Sequence, residues 1–188
     1  MNSRLFLGWF EYAINRVGNG YFGFAERVYC YELYHYIRVA MHGFEREHGA
    51  IEGVFLHSEL VKSILPDDAA QIMEVIPLKT RRMPDFLFHS PGNFDNQIAA
   101  IEVKTTPRLS YCQLIRDLEK LSELRVNYQY QLVIFHCVNS SMEIVCDHVN
   151  RAVNEGLDVD GNILVVTKPA FGEPIQKVTI GEIIARIT

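Results

Sequence analysis

A nearly continuous apolar run in the second half of the chain constrains the fold more than any other feature. Residues 131–138 read Gln-Leu-Val-Ile-Phe-His-Cys-Val, and they contain no Gly or Pro. The run has the length of a strand, but it lacks the alternation of apolar and polar residues that a strand with one wet face shows. We therefore expect a strand covered on both faces, inside a sheet that has helices on both sides.

Hydrophobic periodicity and turn residues predict the remaining elements. Helices are expected over 25–41, 109–126, 142–154 and 180–187, and further strands over 54–61, 85–89, 98–104 and 163–168. No low-complexity segment, internal repeat or Pro/Gly-rich linker divides the sequence. Residues 1–188 are therefore interpreted as one α/β domain with a mixed central sheet flanked by helices on both faces.

Charge and cysteine content narrow the classes of partner and compartment. The formal net charge of −5 argues against a protein that coats nucleic acid, because such affinity comes from neutralising phosphates with Lys and Arg. Any nucleic-acid site must be local, or completed by a metal ion or a partner. The four cysteines include no C-x-x-C pair and indicate a reducing compartment. No stretch approaches the ~20 apolar residues of a membrane span, so a cytoplasmic location is expected.

The residues that carry chemistry lie within 83–106. In a strand, side chains alternate between faces, so Glu102 and Lys104 share one face. The turn residues at 90–93 predict an antiparallel hairpin, which places Asp85 beside Glu102. Two facing carboxylates repel each other unless one takes up a proton or a cation lies between them. The pattern therefore favours a divalent metal site.

This arrangement resembles the PD-(D/E)xK superfamily of metal-dependent nucleases, with Pro84-Asp85 as the first element and Glu102-Val103-Lys104 as the second. The resemblance implies a restriction-endonuclease-like fold. It also implies that Asp85, Glu102 and the backbone carbonyl of Val103 bind Mg²⁺, for which Mn²⁺ can substitute. Lys104 would then stabilise charge on the phosphate or help to activate the attacking water.

The resemblance covers roughly residues 25–138 and includes a helix before the sheet, where many members place a glutamate. Glu26 lies on the apolar stripe of that predicted helix, and a carboxylate buried there needs a partner or a metal, so Glu26 is the predicted fourth catalytic residue. An ion pair with Arg27, or a first-turn charge favoured by the helix dipole, is the alternative for Glu26. Glu32 projects from roughly the opposite side and takes over the role if the helix phase is wrong.

Six basic residues flank the motif and are expected either to contact phosphates or to lie on solvated faces; they are Lys79, Arg81, Arg82, Arg108, Arg116 and Lys120. A simpler interpretation of the motif itself is a solvated Glu102–Lys104 ion pair on an edge strand.

Two functional hypotheses follow. The first is a nuclease that hydrolyses nucleic acid, DNA in preference to RNA, in a bacterial defence or mobile-element setting. A homodimer is expected by analogy, because cutting both strands needs two sites. The second is a non-catalytic module of the same fold that binds nucleic acid or a protein partner. The intact Asp, Glu and Lys favour the first hypothesis, and the acidic net charge favours the second.

Overall fold

The computed structural model describes residues 1–23, 25–58, 84–91 and 96–186. Within them the helices are α1 (Ser3–Arg16), α2 (Glu26–His48), α3 (Tyr111–Tyr128), α4 (Met142–Asn154) and α5 (Ile180–Ala185), with a short 3-10 turn over Asn19–Tyr21. The strands are β1 (Phe55–Ser58), β2 (Phe86–His89), β3 (Gln97–Lys104), β4 (Leu132–Val138), β5 (Leu164–Lys168) and β6 (Gln176–Thr179).

The described strands form one mixed sheet in the order β1-β2-β3-β4-β5-β6. Strands β3, β4 and β5 are parallel to one another, and the other neighbours pair antiparallel. Parallel neighbours need a crossover connection, and α3 and α4 provide the two that this sheet requires. The predicted mixed α/β architecture is confirmed.

Apolar side chains cover both faces of the sheet and form two cores. On one face, α1 and α2 pack against a set of residues that includes Phe88 and Ile134. On the other face, α3, α4 and α5 pack against a set that includes Leu87 and Phe135. Neighbouring residues of β4 enter opposite cores, so β4 is covered on both faces, as its continuous apolar run predicted.

Helix α1 and strand β6 were not predicted. No element was predicted before residue 25, although Phe6, Phe10 and Ala13 recur at helical spacing and are fully buried in the structure. Strand β6 lies at a sheet edge with Gln176 and Lys177 exposed, so its apolar pattern is too short to detect. Helix α2 continues to His48, past the predicted end at residue 41. Residues 59–61 of the strand predicted over 54–61, and residue 187 of the helix predicted over 180–187, lie outside the described residues.

Two expectations drawn from composition concern cysteines and membranes. All four cysteines are free, and Cys30 and Cys137 are buried in the two cores as small apolar side chains. Within the described residues, no helix combines the length and the apolar character needed to cross a bilayer.

Candidate active site

The carboxyl end of β3 brings the predicted site residues together. Asp85 immediately precedes β2, and the antiparallel register pairs Phe86 with Ile101. That pairing directs Asp85 to the end of β3, where its Oδ2 accepts a hydrogen bond from the Val103 N–H at 2.7 Å. The predicted hairpin therefore places Asp85 beside the Glu102-Val103-Lys104 segment.

Helix α2 contributes Glu26 from its first turn. Glu26 Oε1 lies 3.5 Å from Lys104 Nζ, although the two residues are far apart in sequence. Glu32 instead interacts with the Tyr21 hydroxyl, and its negative charge raises the pKa of that tyrosine. Glu26, rather than Glu32, is the helix acid that the structure places at the site.

Lys104 is the central cation. Its Nζ donates to the Val103 carbonyl at 2.8 Å and lies 3.4 Å from Glu102 Oε1. A third oxygen, Asp117 Oδ2, lies at 3.4 Å, and the Lys104 side chain is only 12% exposed. The ammonium group is thus surrounded by acceptors rather than by water. The alternative interpretation, a solvated ion pair on an edge strand, is wrong, since β3 is an interior strand and Glu102 is buried.

Helix α3 adds two residues, Asp117 and Lys120. Lys120 Nζ lies 2.6 Å from Glu102 Oε2 and 3.4 Å from Asp117 Oδ1. Lys120 was predicted to contact phosphates or lie on a solvated face, but it is 5% exposed and pairs with the buried acids. We call these six residues the β3 cluster: Glu26, Asp85, Glu102, Lys104, Asp117 and Lys120.

Asp117 was not predicted, although the sequence contains a signal for it. The residue lies on the same helical stripe as Leu114 and Leu121, which are fully buried. A carboxylate on an apolar stripe requires a buried partner. The same argument that selected Glu26 on α2 therefore applies to Asp117 on α3.

Burial dominates the electrostatics of the two motif acids. Burial raises the pKa of Asp85 to about 6, with the Val103 N–H and Lys104 opposing that shift. Burial, and then the charge of Asp85, raise the pKa of Glu102 to about 8. Both shifts mean that the ionised carboxylates are incompletely stabilised by the protein alone.

Lys104 shows the opposite balance. Burial by itself lowers the pKa of a lysine, but the carboxylates of Glu102 and Asp117 outweigh that effect, so the pKa of Lys104 is raised. Lys104 is therefore an ammonium ion at neutral pH. In this charge state it can donate hydrogen bonds and stabilise negative charge, but it cannot accept a proton.

The cluster carries an excess of negative charge. Four carboxylates face two ammonium groups, which leaves two negative charges when all six residues are ionised. Glu102 Oε2 and Asp117 Oδ2 are buried, and their polar contacts are ion pairs, with Lys120 Nζ at 2.6 Å and with Lys104 Nζ at 3.4 Å. A set of hard oxygen donors with this residual charge fits a divalent cation such as Mg²⁺.

The ligands that the resemblance implies are Asp85, Glu102 and the Val103 carbonyl. Over residues 1–23, 25–58, 84–91 and 96–186, no group of three or more His, Cys, Asp and Glu side chains is arranged to hold a metal ion. The Val103 carbonyl currently accepts from Lys104 Nζ. The Lys104 ammonium group therefore contacts the backbone oxygen that the resemblance assigns to the cation.

No family model, curated protein or solved structure matches this chain. The likeness to PD-(D/E)xK nucleases therefore depends on the motif residues and on their arrangement at the end of β3.

A pocket of about 60 Å³ opens beside the cluster, between the first turns of α2 and the ends of β1 and β2. Its lining includes Glu26, Arg27, Tyr31 and Asp85. Glu102 does not line it and is almost fully buried. A ligand in this pocket would therefore reach the cluster from the α2 side. Of the other flanking basic residues, Arg108 and Arg116 are exposed, and Lys79, Arg81 and Arg82 lie outside the described residues.

Proposed function

We propose that the chain is a metal-dependent nuclease of the PD-(D/E)xK type, with a restriction-endonuclease-like fold, that hydrolyses DNA in preference to RNA. The observation that carries this proposal is the convergence of Asp85, Glu102 and Lys104 at the end of β3, among buried carboxylates that outnumber the neighbouring ammonium groups. Buried acids with strongly perturbed pKa values beside a pocket are typical of catalytic sites.

Asp85, Glu102 and the Val103 carbonyl would hold the cation. When bound, Mg²⁺ supplies Lewis acidity towards a phosphate oxygen and lowers the pKa of a coordinated water. Asp85 is poised for this role because its Oδ2 is fixed by the Val103 N–H. A carboxylate held in place by a backbone donor keeps its orientation when the cation binds.

The ammonium group of Lys104 stabilises negative charge on the phosphate. Its raised pKa makes it a poor base at neutral pH, so of the two roles implied for this lysine the electrostatic one is favoured. Glu26 is 39% exposed and lines the pocket, so it is placed to accept a hydrogen bond from the attacking water.

The same proposal includes a cytoplasmic location, a bacterial defence or mobile-element setting, and a homodimer that cuts both strands. The second candidate is a non-catalytic module that binds nucleic acid or a protein partner. It is favoured by one observation, the two lysines that already pair with Glu102 and reduce its need for a metal.

Incubation of the protein with plasmid DNA, single-stranded DNA and RNA in Mg²⁺, Mn²⁺ or EDTA tests the proposal. We expect cleavage of DNA with either metal, none with EDTA, and a loss of at least ~100-fold in Asp85→Asn. The control is Asp158→Asn, which removes the same charge from an exposed position. If the parent protein neither cuts nor gains thermal stability from Mn²⁺, the binding-module hypothesis replaces the nuclease hypothesis.

A further inference from the structure

One outer face of α2 is basic and aromatic, in contrast to the acidic chain as a whole. Eight residues share this face; six of them are named the α2 outer stripe (Arg27, Tyr31, His35, Arg38, His42 and Arg46), and the other two are Val28 and Glu45. At 100° per residue they fall within an arc of about 100°, on the side away from the buried residues Leu33, Ile37 and Met41. With a rise of about 1.5 Å per residue, the stripe is roughly 28 Å long.

The charge of the stripe is complementary to a phosphate backbone. Three arginines and two histidines lie along it, whereas the chain has a net charge of −5. The nearby acid on that face is Glu45, and His42 Nδ1 lies 2.9 Å from Glu45 Oε2. Arg38 Nη2 lies 3.4 Å from His42 Nε2 on the next turn. Because the chain as a whole is acidic, a nucleic-acid site on it is expected to be a local basic surface. The α2 outer stripe is such a surface.

The stripe begins at the pocket that opens onto the β3 cluster. Arg27 and Tyr31 both line that pocket, together with Glu26 and Asp85. Tyr31 is 59% exposed, so its ring is accessible at the mouth of the pocket. The stripe and the cluster are therefore continuous, so a strand lying along α2 would lead directly to the acids.

Tyr31 favours a single strand over a duplex. An exposed aromatic ring can stack on an unpaired base, whereas the bases of a duplex are already stacked on each other. Aromatic rings interspersed with cations along one surface are typical of proteins that bind single strands without sequence preference.

We infer that the α2 outer stripe binds single-stranded DNA and guides it to the β3 cluster. Arg38 and Arg46 contact phosphates, and Tyr31 stacks on a base at the mouth of the pocket. The inference rests on the proposed function for the identity of the substrate, and it narrows that substrate to DNA with an unpaired segment.

Fluorescence anisotropy with labelled oligothymidine in EDTA measures this binding separately from cleavage. We expect the double variant R38Q/R46Q to bind about ten-fold more weakly and to lose about 1.4 from the slope of log affinity against log salt, since each phosphate contact on a single strand contributes about 0.7. Tyr31→Ala should also lose about ten-fold, and Tyr31→Phe, which keeps the ring, should stay within about two-fold of the parent.

Arg186→Gln is the matched control, because Arg186 is exposed and follows α5 on the opposite face of the sheet. Circular dichroism on each variant checks that α2 stays folded. The inference is overturned if R38Q/R46Q and Tyr31→Ala bind like the Arg186→Gln control. It is also overturned if a matched duplex or RNA oligonucleotide binds the parent more tightly than oligothymidine does.

The binding assay and the cleavage assay separate the two proposals. Tight oligothymidine binding that depends on the stripe, without cleavage in Mg²⁺ or Mn²⁺, would support the inference and remove the nuclease proposal. Metal-dependent cleavage that is unaffected by the stripe variants would support the nuclease proposal and remove the inference.

Discussion

Two buried polar networks lie on either side of β3 and β4, and they differ in how well they are satisfied. In the first, the Tyr29 hydroxyl lies 2.9 Å from His136 Nε2, and His136 Nδ1 lies 2.9 Å from the Val166 carbonyl. A carbonyl only accepts, so Nδ1 carries the proton and Nε2 accepts from Tyr29. Each ring nitrogen has a partner, and this Tyr29–His136 network is uncharged.

The β3 cluster is the opposite case. Its members are ionisable, its four acids outnumber its two lysines, and burial raises the pKa of both Asp85 and Glu102. Folding tolerates such an arrangement only at a cost in stability, because buried charges that are not fully compensated are expensive. We interpret the satisfied network as structural and the unsatisfied cluster as functional, and the two should respond differently to substitution.

Removing either motif acid should cause the largest loss of activity. Asp85→Asn and Glu102→Gln should each lower cleavage by at least ~100-fold, because each removes a negative charge that holds the cation. Their stabilities should differ. An amide oxygen at residue 85 still accepts from the Val103 N–H, and the raised pKa of Asp85 shows that its charge is unfavourable in the folded state. Asp85→Asn should therefore fold at least as stably as the parent without metal.

Glu102→Gln has two opposing effects: it removes a charge that the raised pKa of Glu102 marks as unfavourable, and it deprives the buried Lys120 of its closest acid. We expect the loss of the ion pair to dominate and to cost about 3 kcal/mol. Urea unfolding in EDTA, at neutral pH, measures both variants. Equal stabilities for Asp85→Asn and Glu102→Gln would show that Lys120 does not depend on Glu102, which would contradict the charge balance described for the cluster.

The Tyr29–His136 network should make the protein sensitive to acid. Burial lowers the pKa of His136 from 6.5 to about 4, so the unfolded chain takes up this proton before the folded protein does. The stability contributed by neutral His136 is complete above pH ~6.5 and is lost as the pH falls towards about 4, a change of roughly 3 kcal/mol. Urea unfolding between these pH values, compared with His136→Gln, measures the effect.

Glutamine is the matched variant because its amide can donate to the Val166 carbonyl and accept from Tyr29. The difference in unfolding free energy between the parent and His136→Gln should shrink or reverse as the pH falls. Parallel curves for the two proteins would show that His136 does not titrate in this range.

Loss of one hydrogen bond in the same network should have a smaller effect. Tyr29→Phe keeps the buried ring but leaves His136 Nε2 without a donor, which costs about 2 kcal/mol. Cleavage should stay within about two-fold of the parent, because the hydroxyl contacts His136 rather than the cluster. A large loss of activity with unchanged melting temperature would mean that the network is coupled to the site.

Most of the fold could be predicted from local patterns. The helix and strand periods found β3, β4 and α4 with only small errors at their ends, and the hairpin argument placed Asp85 beside Glu102. The contacts between α3 and β3 could not be found in this way. They join Lys120 to Glu102 and Asp117 to Lys104, and such pairing depends on how two elements pack rather than on the pattern of either. The position of Asp117 among the buried apolar residues of α3 showed only that its carboxylate needed a partner.

Among the acids of the β3 cluster, Asp117→Asn should give the smallest loss of cleavage. Asp117 lies 3.4 Å from both lysines, and its charge raises the pKa of Lys104 and of Glu102. Removing that charge weakens the hold on the Lys104 ammonium, but Glu102, Glu26 and the Val103 carbonyl still contact it. We therefore expect cleavage to fall about ten-fold, the lower end of the range typical of a residue that positions a reacting group or ligand.

Glu119→Gln provides the control, since it removes one negative charge from an exposed position on the same helix. A positioning role predicts that Asp117→Asn changes the rate of cleavage at saturating substrate and shifts its pH profile, whereas Glu119→Gln changes neither. Asp117→Glu should recover part of the activity, because it restores the carboxylate near both lysines. If Asp117→Asn and Glu119→Gln behave alike, Asp117 only balances charge, and the functional part of the β3 cluster ends at β3 and α2.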